Sequence, residues 1–83
     1  MLPGLTDRET QILDLIADGL TNQEISRHLV VSEATVENHI HHIFVKLGIS
    51  NRAQAVAYAY WVKIVLVNEM LENNLVENGG NPS

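Results

Sequence analysis

The chain contains no cysteine, which excludes disulfides and metal sites built on thiolates. This absence is typical of a reducing compartment, and we expect a cytoplasmic protein. Aromatic residues are also scarce, at 5% of the 83 positions. A chain of this length forms one small domain with a marginal core. It leaves no room for an enzyme cleft of ordinary size.

The sequence also lacks segments that would direct it into a membrane. Its first ten residues, MLPGLTDRET, do not combine a basic stretch with an apolar one, so no secretory signal is expected. The longest nearly unbroken apolar run, residues 55–67, is too short to span a bilayer comfortably. We therefore expect a soluble protein without a membrane partner.

Positive charge is low, with 5 Lys and Arg against 10 Asp and Glu and a net charge of −5. This balance ordinarily disfavours a polyanionic partner such as nucleic acid. However, three of the 10 acidic residues, at positions 69, 72 and 77, lie close to the C-terminus. The part of the chain before them is nearly neutral, so a nucleic-acid partner stays possible.

Capping signals mark the first helix. Thr6 is followed three residues later by Glu9, a capping box in which each side chain satisfies a backbone amide of the first turn. Apolar residues follow at helical spacing, and Gly19 can adopt the left-handed conformation that ends helices. The spacing predicts a helix over about residues 7–18.

Two further helices follow in quick succession. A second capping box, Thr21 with Glu24, opens a helix of barely two turns. After the tripeptide VVS, Ser32 caps a third helix that Gly48 ends. Two helices joined by about three residues indicate a helix-turn-helix, although a glycine in the turn would be a stronger signal. The apolar stripe of the third helix consists of Val36, Ile40, Ile43, Phe44 and Leu47.

A fourth helix is predicted over about residues 51–71. It is apolar on nearly every side between residues 53 and 67, more than a small monomer can bury. One face should pack on the preceding helices and the rest on a partner. The β-branched stretch VKIVLV leaves a strand open as an alternative for that piece. The tail, residues 77–83, has the composition of a disordered end.

The free face of the third helix is rich in histidine. An α-helix turns by about 100° per residue, and this rotation places one set of side chains opposite the buried stripe. It places His39 at the edge of that stripe. These histidines are either solvated or, for His39 and His42 at i, i+3, able to chelate a metal ion. We expect no metal site, because no matching Cys or carboxylate is present. The outward set comprises Glu37, Asn38, His41, His42 and Val45.

No catalytic constellation is evident. The sequence has no Gly-rich phosphate loop, no paired carboxylates and no nucleophile with an orienting base. We therefore expect neither catalytic residues nor a cofactor, and a protein that is not an enzyme.

Four motifs together are similar to one family. They are LTDRE at the first helix, GLTNQEIS before the second, TVENHI in the third, and KLGISNRAQAV leading into the fourth. Over residues 5–59 the chain closely resembles the LuxR-type (GerE-type) helix-turn-helix domain, the DNA-binding output module of many bacterial regulators, including NarL/FixJ response regulators.

The resemblance implies a role for each face of the domain. It implies a four-helix domain whose third helix enters the major groove of DNA and whose fourth helix forms a dimer. The positions that correspond to base-reading residues are Glu37, Asn38 and His41. Those expected at DNA phosphates are Ser32, Thr35, His42 and Lys46.

Two positions depart from the family pattern. Glu37 and His41 stand where basic residues are common, so DNA binding should be weaker or directed at a different sequence. Glutamate can accept a hydrogen bond from cytosine and asparagine can grip adenine, so a sequence preference is retained. Arg52 is expected either to contact phosphate or to pair with an acid such as Glu9.

The hypothesis is an all-α domain over residues 1–76 that binds DNA as a homodimer and regulates transcription. The alternative is a protein-interaction module that keeps the helix-turn-helix scaffold but has lost DNA contact. A receiver or ligand-binding domain could precede it in a longer chain. The expected dimer interface consists of Trp61, Val62, Val65 and Leu66.

Overall fold

The computed structural model describes residues 4–79, with side chains as far as residue 73. It contains four helices, and no strand occurs between residues 4 and 79. The prediction of an all-α, four-helix fold is therefore confirmed, and the strand alternative for VKIVLV is wrong. The helices are α1 (Asp7–Ala17), α2 (Asn22–Leu29), α3 (Glu33–Leu47) and α4 (Arg52–Gly79).

The helices begin where the capping residues predict. The Glu9 amide donates to Thr6 Oγ1 over 3.1 Å, and the Thr6 amide donates to Glu9 Oε1 over 2.9 Å. Thr21 and Glu24 repeat this capping box at the start of α2. Each box satisfies two amides that the first helical turn leaves free.

Helix α1 occupies the centre of the domain, because it packs against each of the other three helices. Ile40 of α3 is buried as expected, whereas Leu47 is only partly buried. The buried apolar side chains come from all four helices and from Leu5, two residues before α1. They are Leu5, Ile12, Leu13, Ile16, Ala17, Ile25, Val36, Ile40, Ile43, Ala55 and Ala59.

Helix α4 is longer than predicted, with 28 residues ending at Gly79 instead of near Leu71. At about 1.5 Å per residue it measures roughly 42 Å. Only its first half packs against α1, through Ala55 and Ala59. The helix enters the tail that was expected to be disordered, and residues 80–83 of that tail lie outside the described residues.

The turn between α2 and α3 uses a valine where glycine is the usual residue. Val30 ends α2 with φ 58° and ψ 50°, in the left-handed region, and its side chain is 89% exposed. The next amide, that of Val31, donates to the Ser26 carbonyl over 3.0 Å and closes the helix end. A β-branched residue is strained in this conformation.

Truncating Ile40 and truncating Leu47 should lower the free energy of unfolding by different amounts. Ile40→Ala should lower the free energy of unfolding by about 2–5 kcal/mol, because it leaves a cavity in the core. Leu47→Ala should cost less, since Leu47 already contacts solvent. Urea denaturation followed by circular dichroism measures both. Equal losses would mean that Leu47 is buried as fully as Ile40.

Relieving the strain at Val30 should stabilise the protein. Val30→Asn should raise the free energy of unfolding by about 0.5–1 kcal/mol, because asparagine tolerates the left-handed region better. Val45→Asn is the matched control: Val45 is 67% exposed within α3, where the two residues have similar helix propensities. A Val30→Asn variant no more stable than the parent in urea would show that the turn is unstrained.

Candidate nucleic-acid interface

Helices α2 and α3 form a helix-turn-helix. The three residues 30–32 join them, and the two helices pack against each other and against α1. The inner face of α3 is held by Val36, Ile40 and Ile43, which are buried. The opposite face of α3 is therefore presented to solvent on a rigid support.

The residues expected to read bases lie together on that free face. Glu37, Asn38 and His41 are exposed, and so is His42. His39 is only partly exposed, at the edge of the buried stripe, as the spacing predicts. The rings of His41 and His42 have centroids 6.0 Å apart. The face offers carboxylate, amide and imidazole groups to a ligand.

Two hydroxyls mark the start of α3. Ser32 Oγ accepts a hydrogen bond from the Thr35 amide over 3.1 Å, and lies 2.9 Å from Thr35 Oγ1. Both residues are exposed. The N-terminus of a helix attracts anions through its free amides and its dipole. Glu33 in the same turn contributes negative charge and opposes that attraction.

Lys46, expected at phosphate, is paired within the protein. Its Nζ lies 2.7 Å from Glu9 Oε1, and its side chain is 40% exposed while that of Glu9 is 5% exposed. The pair joins the first turn of α1 to the last turn of α3. Any phosphate would have to share this ammonium with the carboxylate.

The same contacts control the ionisation of Glu9. The hydrogen bond from Lys46 and that from the Thr6 amide hold the pKa of this carboxyl below its usual value, against the opposing effect of burial. Sequence reasoning missed the pair because its partners lie 37 positions apart. The capping box accounted for Glu9 and gave no reason to seek a second partner.

Arg52 is structural, but its expected pairing with Glu9 is wrong because Lys46 holds that carboxylate. One guanidinium nitrogen of Arg52 donates to Asn22 Oδ1 over 2.7 Å, and the other donates to the Leu20 carbonyl. Arg52 therefore ties the start of α4 to the α1–α2 connection. At least two of its donors are thus used inside the domain.

Little unpaired positive charge remains on the surface. Lys63 lies 3.8 Å from Asp14, so three of the five basic residues are engaged within the chain. Arg8 and Arg27 are exposed, and neither forms an ion pair within the described residues. The α3 face itself carries two exposed carboxylates, Glu33 and Glu37.

Among the described residues, no three His, Cys, Asp or Glu side chains are grouped to hold a metal ion. His39 and His42 are thus not joined by a third ligand there. None of the described helices is long and apolar enough to cross a membrane.

The four residues expected at a dimer interface occupy different sides of α4. Val62 and Leu66 line a groove of about 230 Å³ between α4 and α1, with Leu13 and Ala59. Trp61 is 61% exposed and its ring lies beside that of Tyr58. Val65 is partly buried. Their contact with a second copy stays a prediction.

The helix-turn-helix and its supporting helices correspond to a known family. Residues 3–59 match the family described as bacterial regulatory proteins, luxR family. The chain belongs to this family. The resemblance inferred from the motifs is thereby confirmed, together with the class it predicts, the helix-turn-helix domain of a bacterial transcription regulator.

Two relatives of this chain are named as regulators of transcription. The DNA-binding transcriptional activator DevR/DosR of Mycobacterium tuberculosis is 40% identical over 62 residues, which cover 75% of this chain and 29% of the relative. The transcriptional regulatory protein LiaR of Bacillus subtilis is 50% identical over 56 residues, covering 68% of this chain and 26% of LiaR.

A solved structure shows the same fold. The crystal structure of the response regulator ChrA in a heme-sensing two-component system superimposes with a TM-score of 0.68 at 38% identity. The match covers 76% of this chain and 31% of that one. The chain thus spans less than a third of the length of these luxR-family proteins.

The Glu9–Lys46 pair should make stability depend on pH. The lowered pKa of Glu9 means that the pair stabilises the fold above the ordinary value of 4.5, and that this contribution is lost as the pH falls through the lower folded-state pKa. Glu9→Gln keeps the capping acceptor but removes the charge. It should cost about 1–3 kcal/mol at pH 7 and less at acid pH.

Urea denaturation at pH 7 and at low pH measures this difference. Glu69→Gln, an exposed residue without an ion pair among the described residues, is the control. It should follow the parent at both pH values. A Glu9→Gln deficit that stays constant with pH would contradict the role given to the pair.

Proposed function

We propose that this chain binds double-stranded DNA in a sequence-specific manner, with α3 in the major groove, as the output domain of a bacterial transcription regulator. The observation that carries the proposal is the exposed polar face of α3, held by a buried opposite face in a luxR-family helix-turn-helix. A helix placed in the major groove reads base edges with side chains of this kind.

Base reading is assigned to three side chains. Asn38 can donate to and accept from adenine, and Glu37 can accept a hydrogen bond from the cytosine amino group. His41 lies one turn further along the same exposed face. Because Glu37 repels phosphate while accepting from cytosine, it should favour discrimination between sites at the expense of overall affinity.

Phosphate contacts are assigned to the two ends of α3. Ser32 and Thr35 place hydroxyls beside the free amides at its start. His42 and Lys46 follow along the helix, and Lys46 would contribute only the part of its charge that Glu9 leaves unneutralised. With few free cations, we expect weak non-specific binding and a shallow dependence of affinity on salt.

The proposal extends to the whole regulator. We propose a homodimer formed through α4, because dimeric helix-turn-helix proteins read two half-sites. A receiver or ligand-binding domain N-terminal to this one would supply the signal, as the response-regulator relative suggests. We propose that the domain binds DNA rather than catalysing a reaction, and a protein that contacts bacterial DNA would be cytoplasmic.

DNA readout can be tested at single-residue level. After selection of preferred sites from a random library, Asn38→Ala should lose about 1–3 kcal/mol on the best site and relax preference at one base pair. Asn73→Ala, an exposed asparagine on α4, is the matched control and should bind like the parent. Fluorescence anisotropy at two salt concentrations measures both.

Two results would contradict the proposal. One is a parent chain that selects no sequence from the library. The other is a loss of affinity in Asn38→Ala that is the same for every sequence, because such a loss would mean that the α3 face does not read bases. Binding that does not weaken as salt rises would exclude phosphate contact altogether.

A further inference from the structure

The exposed face of α3 also contains an apolar side chain near its start. Ala34 is the second residue of α3 and is exposed. On a helix that turns by about 100° per residue, it lies within roughly 40° of both Asn38 and His41. These three residues therefore stand in one row along the helix, and the first of them has no polar group.

Ala34 completes a spacing that suits a helix in the major groove. Together with Glu37, Asn38 and His41 it occupies positions i, i+3, i+4 and i+7. The recognition helix of a homeodomain reads the major groove from four positions with this spacing. Seven residues at about 1.5 Å each span roughly 10 Å, about three base-pair steps of about 3.4 Å. The four side chains can therefore reach a short continuous run of bases.

The residues on either side of Ala34 leave its methyl group uncovered. Glu33 and Thr35 are each turned by roughly 100° from it around the helix. Thr35 Oγ1 lies 2.9 Å from Ser32 Oγ, so this hydroxyl is engaged at the capping turn. A ligand that approaches along the row meets the methyl group of Ala34 directly.

A methyl group at a base-facing position selects among bases because it cannot form a hydrogen bond. Guanine and adenine present acceptors in the major groove, and cytosine presents an amino donor. These groups lose their water without replacement when an alanine faces them, which costs free energy. Thymine presents a C5-methyl group, which an alanine methyl contacts favourably. A thymine is therefore the base that suits this position.

We propose that Ala34 contacts the C5-methyl group of a thymine in the major groove and thereby selects for thymine in the target site. This contact rests on the proposed function, because it adds a fourth base contact to the same face of α3. Asn38 lies one helical turn further on, roughly 6 Å along the helix axis. With base pairs about 3.4 Å apart, the thymine should lie one or two base pairs from the A·T pair that Asn38 reads.

The size of one methyl group sets the expected strength of the contact. Removing a methyl group from an apolar contact should weaken binding about two- to fourfold. Phosphate contacts do not distinguish one base from another. They are also limited here, because Lys46 shares its charge with Glu9. An uncharged contact of this size thus contributes a measurable part of the preference for one sequence.

The first test changes the DNA, so it does not depend on any variant folding. In the site selected by the parent, the A·T pair read by Asn38 is the pair at which Asn38→Ala loses its preference. Each thymine within two base pairs of it is then replaced by uracil, which lacks only the C5-methyl group. One of these replacements should weaken binding by the parent about two- to fourfold, as measured by fluorescence anisotropy.

The second test makes the matching change in the protein. Ala34→Gly removes the methyl group and should bind the thymine site and the uracil site equally. Ala53→Gly is the matched control, because Ala53 is likewise exposed and is the second residue of α4. It should keep the parent's discrimination between the two sites. Circular dichroism checks that each variant is helical.

The outcomes separate this contact from the proposed function. A parent that selects a site but binds every uracil form as tightly as the thymine form would overturn the role of Ala34 and leave base reading by α3 intact. Discrimination retained in Ala34→Gly would also overturn it, since another group would then contact the thymine methyl. A parent that selects no sequence would defeat the proposed function and this contact together.

Discussion

The domain depends on the burial of α1 among the other three helices. Ile12, Leu13 and Ile16 are almost completely buried, and α1 packs against α2, α3 and α4 alike. The first turn of α1 also carries Glu9, whose carboxylate both completes the cap and binds Lys46 at the far end of α3. Hydrophobic burial thus supplies the attraction between the helices. The ion pair between Glu9 and Lys46 ties the end of α3 to the start of α1.

This arrangement bears on how a protein of negative charge would bind DNA in the proposed complex. Most of its cations are engaged within the domain by carboxylates, an amide and a carbonyl, where they position helices. The exposed face of α3 carries amide, imidazole and carboxylate groups. In the proposed complex, attraction to the phosphate backbone would be small, and recognition would rely more heavily on hydrogen bonds with bases than it does in a strongly basic helix-turn-helix.

The second half of α4, unlike the first, does not pack in the core, as far as its side chains are described. It extends beyond α1, and its side chains Leu66, Val67, Met70 and Leu71 are exposed. The interface residues expected from sequence spread around the helix, because an all-round apolar segment contains no periodicity that selects one side. Only the position of α1 shows that Val62 and Leu66 border the groove within the domain, while Ile64 and Val67 lie outside it.

Local signals in the sequence determined where the helices begin and which face of α3 is buried. Capping boxes and 3.6-residue periodicity act over a few residues, so they can be read without the fold, and the four motifs sufficed to indicate the luxR family. Tertiary structure alone decided the partners of Glu9, Lys46 and Arg52, because those contacts join residues 30 or more positions apart. It also decided the left-handed turn at Val30, since the closing hydrogen bonds and the packing of α2 on α3 override the preference of valine for other conformations.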